Sequence, residues 1–452
     1  MSRSGNRRRR RLAAAAVALL GMTLLGAAAG HLVARPPAER GRYGIREVAG
    51  GERLELLGGR MDLPALAEAL ARDGRPDVLA RRDGAWLLSR SLVIRPGASL
   101  EVGKATLRLR SEPNRFVGLE ARGGRLEITD STVTSWAPDA ARPDDRADDG
   151  RAWVLARDGA VMDVLGSRME QLGYDQTERS GVAWRTGTTS GTIQRSTFAG
   201  NWNGVHLQGS RNLHVEDSVF RHNARHGMVL AAGCSNATVR GNQSYANAGH
   251  GMVVVQGSND VTLAGNEVHD NQQTGIDVNN SLRLRLTGNV VYGNDIGLHV
   301  RGRARSVVAE ANRLTANRLD GLRVSSGATQ VSASRNLIDF NLRAGVFVAT
   351  GSAEIGPANR LLDNEMGVWL SSDAHGTVVM DNSIEANVLD GVHLAGSRVG
   401  LVRGNTIRAN RKAAFSVAVK GSARPFLTEN RVAGNPAKER VRVVGHPTQP
   451  GG

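Results

Sequence analysis

The sequence predicts an all-β chain, a parallel β-helix wound in coils of about 22–24 residues; spacing alone leaves the hand open, and long irregular coils favour a right-handed parallel β-helix. Three observations predict it: a glycine recurring at that period, period-two apolar alternation after each glycine, and asparagines at a fixed place in each coil. The glycines are Gly181, Gly204, Gly227, Gly251, Gly275, Gly297, Gly321, Gly345, Gly367 and Gly391, with every spacing between 22 and 24. The first and third residues after them are predominantly apolar and the second varies, which is the signature of a strand with one buried side.

A second short run in the coil ends in Asn242, Asn266, Asn289 or Asn405. Another Asn follows at Asn247, Asn271, Asn294, Asn317, Asn341, Asn364, Asn387 and Asn410. Asn accepts left-handed backbone and bonds its own turn, so these positions predict corners. One Asn per coil at one corner also predicts a ladder of stacked amides. The period is too short for a propeller blade, and the leucine-rich consensus is missing. Residues 85–430 hold roughly 15 coils, a rod of about 70 Å at the usual strand spacing.

The ends of such a stack need covering. From Asp62 to Ala71 the chain reads as a capping helix, with Asp62 as N-cap, Pro64 in the first turn, and Leu63, Leu66 and Leu70 on one face. Residues 137–150, rich in Asp, Arg and Pro, break the repeat and predict a protruding loop. The division expected is 1–34 export segment, 35–84 linker and cap, 85–435 β-helix, and 436–452 flexible tail.

The 452 residues include 55 Gly, one Cys, 40% apolar and 4% aromatic residues, with a formal charge of +15. That composition excludes a mostly disordered chain and an internal disulfide framework. Only four of the 58 basic residues are Lys. The charge first suggests nucleic acid, but the arginines are scattered through the coils and no nucleic-acid module is present. Residues 1–34 carry six Arg and no acidic residue, and an apolar run from Leu12 to Ala29 follows. This predicts a signal peptide, cleaved after Ala34, or a membrane anchor over residues 12–29 that leaves the rest exported.

Stacking puts equivalent residues in columns along the rod. The outward second place after Gly reads Ala183, His206, Val229, Val253, Asp277, His299, Arg323, Phe347, Trp369 and His393. The fourth place reads Arg185, Gln208, Ala231, Val255, Asn279, Arg301 and Ser325. Asp277, His299, Arg301 and Arg323 fall within two coils, about 10 Å. A carboxylate, an imidazole and guanidiniums on one flat face suit an acidic sugar polymer, because Arg binds carboxylates bidentately and Trp369 offers a stacking surface. The catalytic candidates are Asp277, His299 and Arg301, and the substrate-binding candidates are His206, Asn279, Arg323 and Trp369. A column of Arg221, Tyr245, His269, Tyr292 and Thr315 reads as structural stacking. His226 and His250 form a pair that lacks a third metal ligand, and Cys234 has no spaced partner. No phosphate loop, nucleophile elbow or His-Glu-x-x-His motif occurs, so no cofactor and no metal are expected.

The stretches Trp86–Leu100, Leu172-Gly173-Tyr174, His226-Gly227-Met228, Asn242–Asn247 and Gly265–His269 resemble the periplasmic mannuronan C5-epimerases. The similarity runs over roughly residues 85–340. It implies a right-handed parallel β-helix acting on alginate during export, with an Arg neutralising the uronate carboxylate while a base removes the C5 proton. In that family the base is the His of an Asp-Pro-His-Asp motif. The run Gly275-Ile276-Asp277-Val278-Asn279-Asn280 matches it best in wording, with Asn279 where the His stands. Counting coils from Leu172-Gly173-Tyr174 points instead to Gly227–Ala231, which retains none of it. His299, one coil on, is then the substitute base, and Arg301 the neutralising group.

Two readings remain open. The first is an epimerase or lyase of uronate polymers. The second is a non-catalytic β-helix that binds the polymer, guides its export or serves as a surface scaffold. Both expect a monomer, an acidic polysaccharide and polysaccharide export machinery as partners, and contact with a membrane only through the N-terminal segment.

Overall fold

The computed structural model describes residues 44–48, 53–113, 115–176, 178–395, 400–419 and 426–443. The export segment expected at 1–34 lies outside them. Among the described residues no helix is long and apolar enough to cross a membrane.

The chain winds as a parallel β-helix. Each coil lays down three short strands, and each strand pairs in parallel with its equivalent one coil later. The Gly-anchored ladder runs Gly181–Arg185, Asn203–Gln208, Met228–Ala231, Met252–Val255, Ile276–Asn279, Leu298–Arg301 and onward. Two further ladders pass through Thr238–Arg240 and Gln243–Tyr245 of the same coil. The interior is one continuous apolar column from Leu54 to Val417. Phe198 and Phe220 stack within it at 5.1 Å. Trp184, fully buried, donates its indole N–H to the Met162 carbonyl at 3.0 Å.

The expected amide ladder is present twice. Along one corner, each Asn from Asn242 through Asn266, Asn289, Asn312, Asn336, Asn359, Asn382 and Asn405 to Asn430 donates Nδ2–H to the Oδ1 of the next. Along a second corner the chain of amides runs from Asn223 through Asn247, Asn271, Asn294, Asn317, Asn341, Asn364, Asn387 and Asn410 to Asn435. Toward the N-terminus, Ser131, Ser167, Ser196 and Ser218 continue the first ladder with hydroxyls. The left-handed residue is not the Asn but the one before it, as at Ala246, Asp270, Ala316 and Phe340. The preceding residue turns the corner, which frees the Asn side chain to point inward and meet backbone donors and acceptors.

The glycines serve close approach. A Cβ on Gly275 would lie 2.8 Å from Asn294 Nδ2 and 2.9 Å from the Gly297 carbonyl, and would strike Val291. Gly275→Ala is therefore expected to cost about 1–3 kcal/mol by overpacking. Equilibrium urea unfolding reads this as a lowered midpoint, and an unchanged midpoint would refute the steric account.

The helix Leu63–Arg72 forms as expected. Asp62 accepts the Ala65 N–H at 2.8 Å, and Leu63, Leu66, Ala69 and Leu70 are buried against Gly59–Asp62, Leu79–Arg82 and Ala98–Gly103. The parallel stack exceeds the bounds 85–435. Arg53–Leu56 and Gly59–Asp62 already pair with Ser91–Ile94 and Ala98–Gly103, and Ala437–Val443 pairs with Ala413–Val419. The N-terminal strands carry no ladder Asn, whereas the last coil keeps Asn430 and Asn435 as the final rungs of both ladders. The segment 137–150 is tied back: Arg142–Pro143 pairs with Trp136–Ala137, and Ser111 donates to Asp144 at 2.6 Å. Cys234 is buried, with its thiol turned to the Leu207 carbonyl.

Candidate functional site

The register places Ala183, His206, Val229, Val253, Asp277, His299, Arg323, Phe347, Trp369 and His393 in one column, coil by coil. A cleft of about 530 Å³ lies over the first part of this face. Val229, Ala231, Val253 and Val255 form an apolar cluster that lines it. His206, His226, His250, Arg225, Asp277 and Arg301 supply its polar chemistry.

Asp277 is 1% exposed and held by a bidentate pair, from Arg301 Nε at 2.8 Å and Arg301 Nη2 at 3.0 Å. Two charge-assisted bonds of this geometry fix the carboxylate and cancel the guanidinium charge locally. His299 stands one coil on, with Nδ1 3.6 Å from Asp277 Oδ1 and Nε2 2.8 Å from Ser325 Oγ. Burial pushes the His299 imidazole down to about 4, against the pull of Asp277.

The other end of the cleft differs. His206 Nδ1 lies 2.9 Å from Ser180 Oγ, and burial, reinforced by Arg185 and Arg225, pushes its imidazole down to about 4. Arg185 is 7% exposed, and its Nε and Nη2 have no hydrogen-bond partner. Among the described residues no ion pair holds it. Burial lowers the Arg185 pKa against the pull of Glu178, so an arginine buried this far with no direct ion pair is costly and open to an anionic partner.

His226 and His250 stack at 5.1 Å with their rings 12° apart. The His250 backbone N–H donates to His226 Nδ1, and the Thr274 N–H donates to His250 Nδ1, each at 3.0 Å. A neutral imidazole that accepts at Nδ1 carries its proton on Nε2. Burial, followed by the neighbouring His250 and Arg225, pushes His226 down to about 3, and burial also lowers His250. Both rings are therefore neutral N–H donors near neutral pH. Among the described residues no three His, Cys, Asp or Glu side chains gather as a metal site.

Of the expected residues the cleft gathers His206, Asp277 and Arg301, while His299 adjoins it through Asp277. Asn279 lies beside Arg301 in the next column, half-buried. Arg323 is turned to Asp320, at 2.6 Å, and Asp320 also pairs with Arg343. Trp369 sits farther along, 4.7 Å from Phe347 and 5.8 Å from His393. The column Arg221, Tyr245, His269, Tyr292 and Thr315 stacks as expected, with Tyr245 and His269 at 4.9 Å and His269 and Tyr292 at 4.7 Å. Sequence reasoning did not single out Arg185 or the donor state of His226 and His250. The column position of Arg185 was readable, but its lack of a partner was not.

Comparison with known proteins agrees with this architecture. The family described as right handed beta helix region matches residues 117–281 and 252–384. The mannuronan C5-epimerase of Pseudomonas syringae pv. tomato is 23% identical over 172 residues, covering 33% of this chain and 32% of that protein. The mannuronan C5-epimerase of Pseudomonas putida is 25% identical over 202 residues, covering 41% and 38%. The chain thus spans about a third of the length of these relatives. The crystal structure of the periplasmic alginate epimerase AlgG superposes with a TM-score of 0.59 at 17% identity, over 85% of both chains, and shares the fold. The matches to the family together take in more than half of the sequence, and the chain belongs to the right-handed β-helix family.

Proposed function

We propose that the chain is exported and acts on an acidic polysaccharide, a uronate polymer such as mannuronan, by moving the proton at C5 of the sugar ring. One observation carries the reading: His206, kept neutral by burial, lines one cleft with Arg225, which no ion pair holds among the described residues, and Arg185, its buried Nε and Nη2 unpartnered, stands beside the cleft near enough to depress that imidazole. Arg185 and Arg225 would take the uronate carboxylate, and its neutralisation lowers the cost of carbanion character at C5. His206 is suited to receive the proton. If its Nδ1–H donates to Ser180, its Nε2 keeps a lone pair, an option closed to His226 and His250 in their neutral form. The Nε2–H groups of His226 and His250 serve as hydrogen-bond donors to the sugar, while water in the cleft returns a proton to the opposite face of C5 and the hydroxide left behind takes up the proton held on His206. Asp277, His299 and Arg301, the set expected from sequence, bind one another and delimit the cleft. The resemblance to mannuronan C5-epimerases and to a periplasmic neighbour supports both the substrate class and the export.

A second reading, binding without catalysis, is favoured by Asn279 standing where the epimerase motif has its base. Incubation with polymannuronate in heavy water separates the two. Deuterium at C5 of the recovered polymer is the expected result, and new unsaturated chain ends would mark a lyase. Binding with neither product overturns the catalytic reading.

A further inference from the structure

Asp277 and His299 share a column on successive coils, and Ser325, in the adjacent column one coil farther on, reaches across to His299. His299 Nε2 lies 2.8 Å from Ser325 Oγ, and His299 Nδ1 faces Asp277 Oδ1 at 3.6 Å. Asp277 is buried, and the bidentate hold of Arg301 keeps its carboxylate in place behind the imidazole. In the tautomer with its proton on Nδ1, the side that faces Asp277, the imidazole keeps its lone pair on Nε2 and the Ser325 hydroxyl is the donor in that short bond. A hydroxyl, a base within reach of it and a carboxylate orienting the base are the parts of an activated serine nucleophile. The next residue, Ser326, has left-handed backbone (φ 54°), and its N–H has no partner among the described residues. It is an uncommitted donor beside the hydroxyl, of the kind that stabilises an oxyanion.

We propose that Ser325, with His299 as base and Asp277 as the positioning residue, is the nucleophile of an esterase that removes small acyl groups from sugar hydroxyls of the bound polymer. The polymer as substrate rests on the function proposed above; the serine chemistry does not. The cleft ends at Asp277 and Arg301, and a chain lying along it continues over the next coils toward Ser325. In the first half-reaction Ser325 Oγ bonds to the acyl carbon as its proton passes to His299 Nε2. The sugar oxygen then leaves with that proton. In the second, water adds to the acyl-enzyme through the same imidazole, the carboxylic acid departs, and the Ser325 hydroxyl is restored.

The test uses the full chain with p-nitrophenyl acetate and a fluorophosphonate label. Ester turnover and a single label on Ser325 are expected. Ser325→Ala should lose the label and at least about 1000-fold of the turnover, and His299→Gln should lose a comparable factor. Ser325→Cys, which keeps a nucleophile, should retain acylation. No turnover in the native chain, a label elsewhere, or turnover surviving in Ser325→Ala overturns the proposal. The heavy-water assay on Ser325→Ala keeps the two readings apart. C5 exchange without esterase activity in the native chain sinks only the serine reading, and esterase activity without C5 exchange or polymer binding sinks only the uronate reading.

Discussion

Replacing Asn341 by Ala is expected to lower the stability of the β-helix by about 3–5 kcal/mol, because each orphaned buried polar group costs about 1–3 kcal/mol. Asn341 is 1% exposed and bonds in both directions. Its Oδ1 accepts the Asn317 backbone N–H at 3.1 Å and the Asn317 Nδ2–H at 3.0 Å. Its Nδ2 donates to the Leu314 carbonyl at 3.0 Å and to Asn364 Oδ1 at 2.9 Å. Truncation strips partners from two neighbouring coils and leaves a void with no path for bulk water. Rungs in such a chain also polarise one another, so the loss exceeds that of one isolated bond. The control is Asn435→Ala at the last rung, where the side chain is only partly buried and Asn410 alone stacks on it. Equilibrium unfolding should show about 1 kcal/mol there. Equal costs at the two positions would show that the ladder is not what holds the coils together.

His206→Gln is expected to reduce C5 deuterium exchange by about 100- to 10,000-fold, the range for loss of a positioned general base. Glutamine keeps the hydrogen bond to Ser180 within reach and removes the titrating nitrogen. The pH dependence supplies the sign. A base must be unprotonated to act, and burial has brought His206 down to about 4. The native kcat/KM should therefore stay level from neutrality down to about pH 5 and collapse through about pH 4. An acid limb near the ordinary histidine value, or full exchange in His206→Gln, would assign the proton transfer to another group. Arg185→Met in the same assay should raise KM for the polymer and lower kcat, since the neutralised carboxylate matters more as charge builds at C5.

The fold was legible in the sequence because every coil repeats the same physical demands. A glycine stands where backbone and side chains approach, an apolar pair points inward, and an Asn closes the corner. The column from Ala183 to His393 could be written down from spacing alone, and the register reproduces it. The candidate site was legible only as a neighbourhood. Spacing put Asp277 near Arg301, but whether they bind each other or a ligand depends on rotamers and on what covers them. Arg185 and Arg301 share a column and look alike in sequence. One is buried without a partner and the other is cancelled by a carboxylate. The tautomers of His226 and His250 are set by backbone N–H groups of the neighbouring coil, which a sequence pattern does not show.

The amide ladders carry one consequence for how such a chain changes over generations. Every interior rung offers an identical donor and acceptor to the rung above and below, so the corner of one coil is chemically interchangeable with the next. Gaining or losing one whole coil rejoins both ladders with no bond left open, and coils that differ by a residue or two in length keep the same rungs, since successive rungs lie 22 to 25 residues apart. The number of coils can therefore change by whole units while the slack in each coil is taken up between the corners. The outward face can grow or shrink by one coil at a time while the coils on either side keep their own contacts.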